Sequence, residues 1–428
     1  MIRSHVVRFR VLSLFAVLLT AVAVASCRED IQAGVGCPLL CPQEQLPLRD
    51  TTIDAVTLDT SIAGFPPTGF ESTLLLARRG DTLDAGIVTR YDTLPTHYSA
   101  IGQDSVIKRI DSAFVQGRRI AADSSKVLTD SATVEAYDVT DVVNDTSTAA
   151  LLAAMTSANK IGTRSLAKGA NPDTLKVLID TARVRARVTD STHRMRIALR
   201  MVSKGSAQLR FIAHNDGEGF TLVYYPSRDT LVAPIKVAPL SAAPSGLSNL
   251  AAALADFGFV ALSRPLPNAS ILRVGGYPWR RVLMRFKLPS NIVDSSAVIR
   301  ATLFLTQKPS ATPSAGDSVS VRAAPIVASN VVTDLHLRLE FAASSQLFRA
   351  DSTVLVPQDS GRRELDIVRI LRSWRGQDTL KTPRAIALVI GTEGATPTSV
   401  DFFSIEAAPG LRPQIRITYA TKPSSGRP

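Results

Sequence analysis

Side chains able to do chemistry are few in this chain, and none is grouped as catalysis requires. Of five His in 428 residues, His97, His193, His214 and His336 stand in polar, turn-rich stretches, without a nucleophile elbow or a His–Glu zinc spacing. Three Cys cannot build a zinc cluster or an iron–sulfur site of their own. Asp81-Thr82, Asp123-Ser124, Asp317-Ser318 and Asp351-Ser352 offer oxygens to Ca²⁺, but none has EF-hand or nonapeptide spacing. Asx-turns at strand ends account for them better, and Ca²⁺ in a loop is the one cofactor they leave open. The expectation is a non-enzyme with no metal site. A polysaccharide hydrolase or lyase would need paired carboxyls about 5 to 9 Å apart in a cleft.

One segment has the chemistry of a sugar site. In Gly275-Gly276-Tyr277-Pro278-Trp279-Arg280-Arg281 a Gly-Gly turn and a Pro set two aromatic rings beside two guanidinium groups. Aromatic faces stack on the apolar faces of sugar rings, and flanking polar groups bond hydroxyls. Tyr277, Trp279, Arg280 and Arg281 are therefore the candidate glycan-binding residues. The competing reading is a hydrophobic plug over the fold, and an aromatic content of 6% argues against a large sugar cleft.

The elements that must position these residues follow from composition and pattern. With 45% apolar and 20% charged residues the chain has material for a core, unlike a disordered chain, a polytopic membrane protein or a disulfide scaffold. Residues 1–10 carry Arg3, Arg8 and Arg10 without an acid, and residues 11–25 form an apolar run. This is a secretory signal helix, too short for the ~20 residues of a membrane span. The run ends in Val24-Ala25-Ser26-Cys27, which resembles the lipobox of bacterial lipoproteins. The resemblance implies acylation of Cys27 and anchoring to a bilayer surface. Arg28, in place of the Asp that retains such proteins at the inner membrane, implies the outer membrane. Removing residues 1–26 lowers the formal charge from +12 to +9. That excess favours acidic polysaccharide or lipid phosphate over nucleic acid, which an exported protein rarely meets. In an oxidising compartment Cys37 and Cys41 are expected to bond to each other.

From residue 51 onward short β-type segments are separated by Asp, Ser, Gly and Pro punctuation. Among them are Thr73–Ala77, Leu175–Ile179, Ala301–Leu305 and Gln414–Tyr419. In Arg183–Val188 strict alternation of Arg with Val or Ala predicts another half-buried strand. Four blocks recur in order: Ile87–Asp92 with Val282–Lys287, Ile110–Ala113 with Val298–Ala301, Tyr137–Val143 with Leu365–Leu371, and the three strands of 196–225 with those of 385–419. The chain is thus expected to be all-β, with two tandem jelly-roll-like β-sandwiches, each carrying one short helix. The boundaries are 1–26 signal, 27–50 tether, 51–228 first sandwich, 229–258 linker, 259–421 second sandwich and 422–428 tail. In the second copy Asp366 caps a helix whose Ile367, Ile370, Leu371 and Trp374 form an apolar stripe ended by Gly376, which makes Trp374 a core residue. In the first, Asp138 precedes Val139, Val142 and Val143. Ala-rich stretches at 148–159 and 247–256 read as further helices.

The second copy resembles the secreted DNRLRE, or disaggregatase-related, β-sandwich domains, which overlap with a carbohydrate-binding module family. Its residues are Arg285-Phe286-Lys287 with Leu288-Pro289, Ala301-Thr302-Leu303-Phe304-Leu305, Asp366-Ile367-Val368 to Trp374, and Phe403-Ser404-Ile405-Glu406 to Arg412-Pro413 and Tyr419. The first copy keeps Arg90-Tyr91-Asp92 and Asp138-Val139-Thr140 but has Ala213-His214-Asn215 at the Ser-x-Glu position. The resemblance implies glycan binding or display at a cell surface. The expected role is non-catalytic glycan binding or adhesion by a lipid-anchored envelope protein. The alternative is a structural lipoprotein that binds an envelope protein.

Overall fold

The computed structural model describes residues 48–63, 68–100, 102–120, 128–140, 143–144, 147–229, 231–242, 254–263, 268–310, 318–327, 351–376, 384–391, 393 and 398–421. The expected signal helix, the tether with Cys27, Cys37 and Cys41, His336, most of the 247–256 segment and the tail lie outside them.

The described residues are mostly β and form two sandwiches. In one sheet of the second, β1 (Leu48–Ile53), β24 (Gln414–Thr421), β18 (Ser296–Lys308) and β21 (Gly361–Asp366) lie side by side, and β23 (Ser399–Phe403) with β16 (Ile271–Gly275) continues from the far end of β18. Facing it are β2 (Val56–Ala63), β17 (Arg280–Phe286), β22 (Arg384–Ile390), β19 (Val319–Val327) and β20 (Ser352–Leu355) in that order. Alternation decides which side chains go inside: Ile415, Ile417 and Tyr419 join the core while Arg416 and Thr418 point away.

The first sandwich repeats this plan. One sheet is β14 (Ile235–Val237), β13 (Thr221–Tyr225), β7 (Ser112–Arg118) and β10 (Thr174–Leu178). The other is β15 (Asp256–Leu262), β4 (Leu83–Tyr91), β11 (Met195–Val202), β8 (Ala132–Asp138) and β9 (Lys160–Leu166), with β3 (Thr73–Arg79) and β12 (Ser206–Ile212) joined through β4. A hairpin of β5 (His97–Ala100) and β6 (Gln103–Val106) stands apart. The expected segments Thr73–Ala77, Leu175–Ile179, Ala301–Leu305 and Gln414–Tyr419 lie in or overlap β3, β10, β18 and β24.

Helices occur where the chain leaves a sheet. They are α1 (Thr148–Ala154), α2 (Thr181–Thr189), α3 (Ser290–Val293) and α4 (Val368–Ser373). Asp366 Oδ1 accepts from Val368 N at 2.8 Å at the start of α4, and Gly376 takes φ +76° after it. Trp374 is 1% exposed and packs on Phe286 with ring centroids 5.4 Å apart.

Three expectations are corrected. Arg183–Val188 is not a strand but part of α2: Val184 and Val188 are buried at i and i+4, and Asp180 caps the helix through Ala182 N at 2.8 Å. An alternating pattern of this length also satisfies the helical period, and the cap decides for the helix. Asp138 ends a strand and starts no helix; Val139 N still bonds across to Arg196 O at 2.8 Å. The helix that matches α4 is α2, because β10 lies beside β7 as β21 lies beside β18. Ile179 N donates to Ala113 O at 3.0 Å, and Ile367 N to Ala301 O at 2.9 Å.

The third correction concerns boundaries. Residues 48–63 precede the first sandwich in sequence but complete the second, with β1 paired to β24 and β2 to β17. In the first sandwich β14 pairs with β13 and β15 with β4, so the supposed linker and the first residues assigned to the second sandwich supply the same two places. Asp59 lies opposite Met284, and Asp256 opposite Thr89. Each caps a turn in its adopted sandwich: Ile405 N donates to Asp59 Oδ2 at 2.9 Å and His214 N to Asp256 Oδ2 at 2.8 Å. Local pattern identifies a strand, but every strand presents the same backbone groups, so it does not name the partner.

Candidate functional site

The expected glycan residues sit in the seam between the sandwiches. Gly275 and Gly276 take φ +79° and +82°, which turns the chain out of β16 before Tyr277, Pro278 and Trp279. The Tyr277 and Trp279 rings meet edge to face at 4.4 Å and pack on Leu75, Ala77, Leu83 and Ala85 of β3 and β4. They are 6% and 7% exposed, so neither ring has a free face for a sugar. The plug reading holds: the apolar outer surface of β3 and β4 removes these rings from water.

The arginines beside them are also committed. Arg281 forms a two-pronged pair with Glu393, its Nε 2.6 Å from Oε1. Arg280 is buried and donates to Pro278 O at 3.2 Å; burial lowers its pKa, and nearby Arg273 lowers it further. Arg273 itself holds Asp401 in a bidentate pair of 2.8 and 2.9 Å. Close by, the Glu71 carboxylate takes Gly69 N at 2.5 Å, and burial pushes its pKa to about 7. Burial likewise raises Asp256 and Asp59 to about 6, with Glu406 adding to the shift of Asp59.

An open site lies at one end of the second sandwich. A cleft of about 340 Å³ is lined by Val293, Ser296, Ala297, Val298, Arg372 and Arg375. Its apolar wall comes from the end of α3 and the start of β18, and its cationic rim from α4 and the residues just after it. Arg369, Arg372 and Arg375, three residues apart and all exposed, point away from the buried stripe of Ile370, Leu371 and Trp374. Arg372 lies along β18, donating to Val298 O at 2.9 Å and to Ile299 O at 3.3 Å. Asp294 does not neutralise the rim, because its oxygens take Gly376 N at 2.7 Å and Arg384 Nη2 at 2.9 Å. Arg375 makes no ion pair among the described residues. Such a cleft can hold an anionic group against the guanidinium rim and an aliphatic or sugar-ring face against its wall.

The corresponding arginines of α2 are used internally. Arg187 reaches the Asp138 carboxylate at 3.0 Å and Arg183 approaches it at 4.0 Å. Asp138 lies opposite Ile197; in the second sandwich the matching residue, opposite Ile386, is Pro325, which has no charge. The sequence expectations omitted this rim, although Arg369, Arg372 and Arg375 recur at a helical spacing that could have marked it.

The remaining candidates are dispersed. His97 lies in β5, His193 in a turn at φ +49° with Nδ1 2.8 Å from Val188 O, and His214 in the single turn after β12. Thr82 bonds back to Arg79 O in the β3–β4 turn, as an Asp-Thr turn pair should. Ser404 Oγ donates to Ala269 O at 2.8 Å and accepts from Glu406 N at 3.1 Å, so the Ser-x-Glu motif closes a turn. Among the described residues no three His, Cys, Asp or Glu side chains converge on a metal position.

No family model matches the chain, and no characterised protein matches it in sequence. A solved structure titled as that of the Macrobrachium rosenbergii nodavirus is 12% identical, covering 92% of this chain and 98% of its own, with a TM-score of 0.18. The tandem CBM22-1–CBM22-2 domains of Paenibacillus barcinonensis Xyn10C are 9% identical over 86% of this chain and 98% of theirs, with a TM-score of 0.16. At such scores neither likeness carries an argument.

Proposed function

We propose that this is a lipid-anchored protein of the cell envelope, held through Cys27 at the outer membrane, that binds acidic polysaccharide without catalysis through the Arg372–Arg375 cleft. The observation that carries the reading is the cleft itself: two guanidinium groups over an aliphatic wall, with no carboxylate in its lining. The charge of +9 that remains after residues 1–26 are removed, and the export signal, support it. Because Tyr277 and Trp279 are buried, recognition rests on charge and not on aromatic stacking.

Binding of the full chain to polygalacturonate and to dextran, at low and raised salt, tests the reading. Polygalacturonate should bind and weaken with salt, and dextran should not bind. Arg375→Ala should weaken binding roughly tenfold, the value of one charge-assisted hydrogen bond. Equal binding of both polymers, or binding indifferent to salt, would overturn it.

A further inference from the structure

The two sandwiches exchange their leading strands. Each repeat begins with a strand pair that carries an Asp: β1 and β2 with Asp59, β14 and β15 with Asp256. The pair that leads the second repeat completes the first sandwich. The pair that leads the first repeat crosses to the second sandwich of its own chain. The rule is that a leading pair completes the sandwich of the repeat before it. A chain of such repeats either closes on itself or continues into another chain.

We propose that residues 48–63 also complete the second sandwich of another copy of this chain, joining copies head to tail. Among the described residues, the contacts that hold the pair in place lie within the pair and its acceptor. The backbone ladders run from Leu48↔Ala420 to Ile53↔Ile415 and from Ala63↔Arg280 to Val56↔Phe286. Ala55 and Val56 enter the acceptor core, and Ile53 packs against it. Asp50 pairs with Arg416, Nε to Oδ2 at 2.8 Å; Gln414 donates to Asp54 at 2.8 Å; Asp59 takes Ile405 N; and Ser61 Oγ takes Arg273 N at 2.7 Å. The segment is acidic, with Asp50, Asp54 and Asp59 against Arg49, and each of these acids meets a donor of the acceptor sandwich. An acceptor in another copy offers the same donors, groove and ladders. Copies tethered to one surface, as the proposed anchor would hold them, meet at high effective concentration.

The partner is identified by two variants of the full chain, Asp50→Cys and Thr418→Cys, each with Cys37 and Cys41 changed to Ser and with Cys27 kept, since an acylated sulfur forms no disulfide. Asp50 and Thr418 are opposite each other in the β1–β24 ladder. With the two variants co-expressed and a thiol oxidant added, a mixed disulfide in this register forms only between copies. The expected result is severalfold more mixed dimer than from Asp50→Cys with Lys308→Cys, which is exposed but off the ladder. Mixed dimer at the control level, while Asp50→Cys and Thr418→Cys in one chain bond internally, would overturn the proposal. Leu58→Cys with Arg285→Cys repeats the test in the β2–β17 ladder. There, too, mixed dimer supports exchange, and internal bonding alone refutes it.

Discussion

The helices α2 and α4 occupy the same place in the two sandwiches and carry arginines on the face turned from the core, yet they have different fates. In the first sandwich Asp138, with its side chain 2% exposed, draws Arg183 and Arg187 inward. In the second the matching position is Pro325, and Arg372 and Arg375 rim an open cleft. A row of like charges is a site or a structural clamp depending on one residue some fifty positions away in sequence. The first copy has spent on its own fold what the second leaves available to a ligand.

The largest expected effect tests the support beneath the second helix. Trp374→Ala should destabilise the protein by about 3–5 kcal/mol in urea unfolding, because a fully buried indole leaves a cavity against Phe286. α2 buries no aromatic of its own, so truncating its Val188 should cost less.

Next is a pH effect shared by both sandwiches. Asp59, Asp256 and Glu71 have folded pKa values raised by burial to about 6, 6 and 7. A raised carboxyl stabilises fully below its unfolded pKa and loses that contribution as pH rises through the folded value. Stability should therefore fall between about pH 4 and pH 7, by up to about 3 kcal/mol for Asp256, which is more buried than Asp59. Asp256→Asn should flatten the profile through the first sandwich and Asp59→Asn through the second, as read by thermal melts across pH. A profile rising over this range would contradict the burial argument.

Asp138→Asn is the sharper test of the comparison itself. Loss of the carboxylate charge should cost about 1–3 kcal/mol and release Arg183 and Arg187. The variant should then bind more polygalacturonate per chain than the parent; an unchanged stoichiometry would show that arginine availability is not what separates the two copies. The smallest effect is on stability in Arg375→Ala, within about 0.5 kcal/mol for an exposed side chain. Its consequence should appear in binding alone.

Much of the fold was legible because strands and caps are local. Segments such as Gln414–Tyr419 read as strands, Asp366 and Gly376 bounded a helix, and the Ile370, Leu371 and Trp374 stripe located its buried face. The Arg-Val alternation of 183–188 misled because two valines four residues apart satisfy both periods. The site was less legible. Aromatics beside arginines suggested a sugar platform at Tyr277 and Trp279, but the outer faces of β3 and β4 needed that same apolar cover.

Residues a few positions apart were enough to establish an all-β sandwich fold and the place where the helix α4 turns the chain. Only the assembled fold settled that residues 48–63 close the second sandwich, that Tyr277 and Trp279 lie in a seam, and that Arg375 is open while Arg187 is clamped. Those outcomes depend on partners as far apart as Asp50 and Arg416, 366 positions along the chain. Backbone donors and acceptors are the same in every strand, so the choice among such partners falls to packing and charge in three dimensions.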